Sequence, residues 1–88
     1  MKTPKQLERY FKGASNHNRI AILTLVAKNE GITLDAIASS LDKNLKTISG
    51  HTHALVRAGL LNKKYQGQSV VHSLSPYGTK FVQFIKSF

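Results

Sequence analysis

The sequence contains no cysteine and no tryptophan, and it has no acidic residue after Asp42. Without cysteine the chain has no disulfide, no thiolate metal site and no cysteine nucleophile, a composition that fits a reducing compartment. No apolar run reaches the length of about 18 residues that a membrane-spanning helix needs, and the first residues lack the apolar segment of a secretory signal. We therefore expect a soluble, cytoplasmic protein with no part in a membrane.

Residues for catalysis are also scarce. The four carboxylates are scattered through the first half of the chain, at Glu8, Glu30, Asp35 and Asp42, and no two of them form a recognisable pair. There is no glycine-rich phosphate loop and no nucleophile elbow, so no catalytic site can be assembled. We expect a protein that is not an enzyme and has no cofactor.

Positive charge is abundant and uneven. The 88 residues contain 13 Lys and Arg against 4 Asp and Glu, a net charge of +9. The first 42 residues hold six bases and all four acids, whereas Lys43 to Phe88 holds seven bases and no acid, a net charge of +7. A half-domain of this kind attracts polyanions such as nucleic acid. A solvated basic surface without a partner is the alternative.

The chain length allows one domain with one hydrophobic core. Apolar residues at helical spacing after Pro4 predict a first helix over about 4–13. Ser15 or Asn16 can cap a second helix, in which Ile20, Leu23, Val26 and Ala27 form an apolar stripe that Ile22 and Leu25 widen, so most of this helix is predicted to be buried. It ends before Gly31, at a position suited to left-handed backbone. Thr33 can cap a short third helix.

A fourth helix follows a break at residues 42–44. Its inward face is predicted from a repeat of 3, 4 and 3 residues at Leu45, Ile48, Thr52 and Leu55. After Gly59 the pattern becomes β-prone, with Gln66-Gly67-Gln68 at the tip of a hairpin. Pro76 then opens a last helix with aromatic residues at helical spacing.

This order predicts a mainly α fold with a small β-hairpin, the winged helix-turn-helix, in a single domain over 1–88. The helix-turn-helix covers about 33–58, the wing about 62–74, and the terminal helices about 4–13 and 76–88.

Several segments resemble the ArsR-type winged-helix repressors. The first, Gly13 to Leu23, resembles the family's opening "ALSDPTRLRIL", and Thr47-Ile48-Ser49-Gly50-His51 resembles "TVSRH". The others are Ile37-Ala38-Ser39-Ser40-Leu41, Leu55-Val56-Arg57-Ala58-Gly59-Leu60-Leu61 and a basic wing that ends at His72-Ser73-Leu74. The resemblance implies a dimeric regulator that binds double-stranded DNA. Four positions depart from it. Gly50 replaces the usual Arg, and Lys43 and Thr52 stand where apolar residues are usual. Leu45, usually polar in the family, is either a core residue or a contact to a thymine methyl group.

A recognition helix must present polar or basic side chains to the base edges and phosphates of the major groove. With the predicted inward face buried, the outward residues of the fourth helix are Lys46, Thr47, Ser49, Gly50, His53 and Arg57. Asn44 can contact phosphate through its side chain and nearby backbone N–H groups. The wing contributes Lys63, Lys64, Gln66 and Gln68, although lysines beside a hairpin also serve as edge protection.

Many ArsR-type regulators bind metal through cysteines, or through His and carboxylate ligands on the last helix. This chain has no cysteine, and its last helix has no His, Asp or Glu. His51 and His53 are two residues apart on a helix and point to different sides of it. We expect no metal sensor.

Six of the seven aromatic residues lie in the first and last predicted helices. One 88-residue monomer has little core in which to bury them all, so they indicate a dimer interface. That predicted interface consists of Leu7, Tyr10, Phe11, Tyr77, Phe81, Phe84 and Phe88.

The sequence as a whole favours a DNA-reading homodimeric repressor that is nucleoid-associated when bound. A protein-interaction module and a non-specific architectural DNA binder are the alternatives.

Overall fold

The computed structural model describes all 88 residues. Five helices and three short strands follow one another along the chain. They are α1 (Pro4–Ala14), α2 (His17–Lys28), β1 (Ile32–Thr33), α3 (Leu34–Leu41), α4 (Leu45–Arg57), β2 (Leu61–Gln66), β3 (Ser69–Leu74) and α5 (Pro76–Lys86). The predicted fold class, a winged helix-turn-helix, is confirmed.

Local capping explains where the helices begin. Thr3 and Gln6 form a reciprocal capping box ahead of Pro4, the first residue of α1. Of the two candidate caps for α2, Asn16 is the one used, and its side chain accepts hydrogen bonds from the backbone N–H groups of Asn18 and Arg19. Caps act over two or three residues, so the sequence offered Asn16 as one of two candidates, whereas the cap at Thr3 was not predicted.

The sheet has three strands where the sequence predicted two. Its order is β1-β3-β2, with all neighbours antiparallel. In the added strand Ile32 pairs with His72, and the N–H of Gly31 donates to the His72 carbonyl at 2.8 Å. Gly31 has a φ of 88°, as its predicted left-handed position requires. A two-residue strand shows no alternation, so the pattern could not reveal it.

The core lies where α2, α3 and α4 meet the base of the hairpin. Its fully buried side chains are Ile22, Leu23, Val26, Ile37, Ile48, Leu55, Leu60 and Leu61. Two predictions of buried residues were wrong. Leu45 is 46% exposed because it is the first residue of α4, ahead of the turn that packs inward, and Ile20 is 38% exposed.

The start of α5 is joined to the turn that follows α4. The Ser75 hydroxyl donates to the Gly59 carbonyl at 2.6 Å and accepts from the N–H of Gly78 at 2.9 Å. The N–H of Ser75 also donates to the Leu60 carbonyl at 3.2 Å. These bonds fix the direction in which α5 leaves the hairpin.

None of the helices has the length and apolarity needed to cross a bilayer.

Candidate nucleic-acid interface

Helix α4 presents the predicted polar face to solvent. Lys46, Thr47, Gly50, His53 and Arg57 are exposed, and Ser49 is half-buried. Behind them Ile48, Thr52 and Leu55 are buried against the rest of the domain. The face carries basic and small polar groups and no carboxylate, which is the chemistry that base edges and phosphates accept.

Asn44 caps α4 with its own side chain. Its Oδ1 accepts from the backbone N–H of Lys46 at 2.7 Å and of Thr47 at 3.3 Å. This corrects part of the sequence interpretation, since these two N–H groups are already bonded and are not free for a phosphate. The side-chain amide of Asn44 keeps its two N–H donors.

The wing holds all four of its predicted contact residues in exposed positions: Lys63, Lys64, Gln66 and Gln68. Gly67 at the tip has a φ of 60°, as the predicted turn requires. Successive residues of a strand point to opposite faces, so Lys63 and Lys64 project from opposite faces of the wing. Only Lys63 lies beside α4, where it lines a cleft between the helix and the wing.

Tyr65 is a wing residue that the sequence interpretation missed. Its side chain is 68% exposed, and the Nζ of Lys63 lies 5.7 Å from its ring centroid. The run of alternating residues in β2 placed Tyr65 on the same face as Lys63, and that signal could have identified it.

The basic residues are almost all unpaired. Across the whole chain one ion pair forms, between Lys12 and Glu8 at 3.4 Å, and both of its side chains are exposed. Such a pair contributes little to stability. The positive charge of α4 and the wing is therefore not neutralised within the protein.

A hydrogen-bonded link between α2 and α4 was not foreseen. The Nε of Arg19 donates to Nδ1 of His51 at 3.1 Å, and its Nη1 donates to the Gly13 carbonyl at 3.2 Å. Arg19 therefore connects the end of α1 to the middle of α4. The partners are 32 residues apart in sequence, and no local pattern relates them.

His51 and His72 both have a pKa below the usual value for histidine. For His51 the causes are burial and then the charges of Arg19 and His17. For His72 burial lowers the pKa most, the nearby Ile32 backbone opposes this in part, and the charges of Lys63 and His53 lower the pKa further. The folded protein therefore favours the neutral form of both rings.

We expect acidification to destabilise the fold through these two rings. As the pH is lowered through the unfolded-state pKa of about 6.5, the unfolded chain binds more protons than the native state does. The free energy of unfolding therefore decreases as the pH is lowered. Urea unfolding of wild type and of His51→Gln/His72→Gln, measured from neutral to mildly acidic pH, should give a flatter dependence for the variant. An unchanged slope would contradict this assignment.

A second candidate surface is apolar, in contrast to the basic face of α4, and it is formed by α1 and α5. Of the predicted interface residues, five are exposed: Leu7, Phe11, Tyr77, Phe84 and Phe88. Phe81 is half-buried, and Tyr10 is buried inside the protomer, with its ring 5.1 Å from that of Tyr77. Tyr10 therefore supports the surface from below.

The aromatic rings of this face pack edge to face. The ring centroid of Phe11 lies 5.2 Å from that of Phe81, and the centroid of Phe84 lies 5.2 Å from that of Phe88. Two shallow apolar grooves of about 470 and 420 Å³ run over them. The second groove also includes Ile20, which the sequence interpretation had assigned to the core.

The chain has no cysteine, and nowhere do three His, Asp or Glu side chains come together in a way that could hold a metal ion.

Comparison with known proteins gives both a family and a set of similar structures. The family model described as HVO_A0114 matches residues 15–79. No curated protein sequence matches the chain. HlyU from Vibrio cholerae N16961 is 23% identical with a TM-score of 0.86, over 97% of this chain and 94% of that one.

Two further structures are similar. One is the solution structure of a homodimeric winged helix-turn-helix DNA-binding domain, Mb0332 from Mycobacterium bovis, described as a possible ArsR-family transcriptional regulator. It is 25% identical with a TM-score of 0.86, over 94% of this chain and 77% of that one. The other is Streptococcus pneumoniae FabT in complex with DNA, 19% identical with a TM-score of 0.75, over 80% of this chain and 51% of that one.

Proposed function

Since this chain belongs to the HVO_A0114 family and resembles the ArsR-type winged helix-turn-helix regulators, we propose that it is a homodimeric, DNA-binding transcriptional regulator. We further propose that it reads a specific duplex sequence, acts as a repressor and uses no metal sensor. Binding to chromosomal DNA would place it with the nucleoid in the cytoplasm.

The observation that carries this proposal is the exposed face of α4. Its side chains are basic or small and polar, and the surface has no carboxylate to repel a phosphate. A helix with such a face fits the major groove of B-DNA. Lys46, Thr47, Ser49 and His53 are the candidates for base edges, while Arg57 and the amide of Asn44 are candidates for phosphate contacts.

The wing extends the contact beyond the groove. Lys63, Lys64 and the two glutamines at the tip are exposed on a hairpin that follows directly from α4. In this arrangement they contact the sugar-phosphate backbone or the adjacent minor groove. These contacts position the domain and add affinity that does not depend on base sequence.

The exposed aromatic face of α1 and α5 supports the homodimer. Phe84 is half-exposed and Phe88 almost fully exposed in the single chain, which is costly for rings of this size. A homodimeric solved relative has the same fold. Pairing through this face would bring two α4 helices to half-sites about one helical turn apart.

Selection from a pool of randomised duplexes tests the proposal directly. Enrichment of an inverted repeat, with half-sites about one helical turn apart, is the expected outcome at physiological salt. Absence of any DNA retention would overturn the proposal and favour a protein-interaction module.

Replacing Lys46 should change the salt dependence of binding. Lys46→Ala removes one ammonium group that neutralises phosphate charge when the helix enters the groove, so affinity should fall and the magnitude of the slope of log K against log salt should decrease by about 0.9. Fluorescence anisotropy across a salt series measures both quantities. Lys28→Ala removes the same charge outside α4 and the wing, and it should leave the slope almost unchanged.

Gly50 favours a second candidate, an architectural binder that reads the DNA backbone. This position is exposed in the middle of α4, where ArsR-type sequences usually carry Arg, and glycine offers no side chain to a base. Retention of the duplex pool without enrichment of any sequence would favour this candidate over a sequence-reading repressor.

A further inference from the structure

A small cleft lies between α4 and the wing, at the edge of the outward face already described, and it shares Ser49 and His53 with that face. It has a volume of about 200 Å³ and is lined by Ser49, Thr52 and His53 from α4 and by Lys63, Tyr65 and His72 from the sheet. Three aliphatic side chains complete its wall. The cleft therefore combines an apolar lining with several polar groups that converge on one space, as binding sites commonly do.

The most deeply buried polar residue in the lining is His72. The residue is only 2% exposed, and its Nδ1 is buried with no hydrogen-bond partner. Buried polar atoms without a partner are uncommon, because their desolvation is not repaid. Across the strand pair His72 lies opposite Lys63, so the ring has an ammonium group as its neighbour.

The charge of the cleft is positive and has no counter-ion among the lining residues. Lys63 and His53 both act on the His72 ring as positive neighbours. The carboxylate of Glu30 is bonded to the backbone N–H of Leu74, at 3.2 Å from Oε2, and it does not line the cleft. Among the polar groups, the Thr52 hydroxyl already donates to the Ser49 carbonyl at 3.0 Å.

We propose that this cleft is a binding site for a tetrahedral oxyanion of the phosphate class. The Lys63 ammonium, a ring N–H of His53 and the Ser49 hydroxyl are its donors, with the His72 ring closing the inner end. Its volume is below the range of about 300–1,000 Å³ that is usual for drug-sized ligands, which suits a single phosphoryl group. Charge-assisted hydrogen bonds from the Lys63 ammonium provide most of the affinity.

Two sources can supply such an oxyanion. One is a backbone phosphate of bound DNA, in which case the site deepens the proposed function and rests on it. The other is a free anion, such as a phosphorylated metabolite or inorganic phosphate. The recognition chemistry is the same for both, so the site itself can be tested without DNA.

The test titrates sulfate into the DNA-free protein at constant ionic strength maintained with chloride, followed by NMR of the imidazole ring protons. Sulfate is tetrahedral and keeps its charge near neutral pH. We expect saturable shifts for His53 and His72 and tighter binding at mildly acidic pH. We also expect an upward move of the His72 pKa when sulfate is bound, because the anion stabilises the imidazolium.

The matched variants are Lys63→Gln and Lys64→Gln, neighbouring lysines on opposite faces of β2. Lys63→Gln should weaken sulfate binding roughly tenfold to a hundredfold, the effect of losing one charge-assisted hydrogen bond, and Lys64→Gln should not. Equal losses of sulfate affinity in the two variants, or ring-proton shifts that never saturate, would contradict the proposed site. Binding of sulfate by a protein that retains no DNA would overturn the proposed function and leave the site standing.

A competition experiment then assigns the source. If a DNA phosphate occupies the cleft, sulfate should displace labelled duplex more strongly than chloride at the same ionic strength, and Lys63→Gln should remove that difference. If DNA leaves the cleft free for a separate anion, duplex affinity should respond to sulfate and chloride alike, and sulfate should still shift the His53 and His72 ring protons of the DNA complex. Both outcomes support an oxyanion site, and each names a different occupant.

Discussion

Phe84→Lys is expected to separate the protomers and to lower the affinity for a two-site duplex by about 10²- to 10⁴-fold, the advantage that bivalent binding confers. Phe84 is 49% exposed and contacts Phe11, Phe81 and Phe88 through edge-to-face ring pairs. An ammonium group at this position would be buried without a partner in any interface formed by the face, which is strongly unfavourable.

Sedimentation measures the oligomeric state, and anisotropy with one-site and two-site duplexes measures the affinity. Gln83→Lys is the control, because it adds the same charge one residue earlier in α5, at an exposed polar position. It should leave the dimer intact. The affinity for a single half-site should be similar in both variants. A Phe84→Lys protein that remains dimeric would rule out this face as the interface.

Gly78→Ala is expected to destabilise the fold by about 3 kcal/mol or more, or about 12 °C or more in Tm for a domain of this size. A β-carbon at residue 78 would lie far inside the contact distance of the Leu60 carbonyl oxygen. That oxygen belongs to the backbone and accepts a hydrogen bond from Ser75, so it cannot rotate away as a side chain could. The start of α5 would have to move off the turn after α4.

Gly50→Ala is the matched control for this substitution. It makes the same chemical change in another helix, but no atom outside its own helix lies within 4 Å of the new β-carbon. Alanine favours a helix over glycine by about 1 kcal/mol, so this variant should be slightly more stable than wild type. Urea and thermal unfolding at matched protomer concentration compare the two. Similar losses in both variants would contradict the close approach at Gly78.

The sequence was most informative where structure is decided locally. The proline that opens α1 and the left-handed Gly31 each act within a few residues and were predicted correctly, and the cap of α2 is one of the two predicted candidates, Asn16. Strand β1 was missed because two residues cannot show a period. Its pairing with His72 depends on where the folded chain brings β3.

Prediction of the candidate site had the same limit. The helical period of α4 correctly separated Lys46 and His53 from Ile48 and Leu55, but the same period wrongly placed Leu45 in the core. Periodicity assigns a direction to each side chain, whereas burial also requires a neighbouring element, and none covers the first turn of α4. The role of each exposed residue in DNA binding stays a prediction.

The cleft beside α4 could not be foreseen at all. His72 and Lys63 are cross-strand partners, and His53 joins them only when α4 packs beside the sheet. Nothing in the sequence separation of these residues indicates a common space. Polar groups that converge from different elements are visible only in the folded chain.

The two hydrogen bonds of Arg19 hold the end of α1 and the middle of α4 in a fixed arrangement. Gly13 also holds α1 close to the end of α4, because the side chain of Ala58 occupies the space where a β-carbon on Gly13 would be. In the proposed dimer, a tilt of α1 against its partner would therefore be transmitted to α4 instead of being absorbed by a flexible joint. The span between the two recognition helices, and so the length of operator that fits them, would be set at the dimer axis.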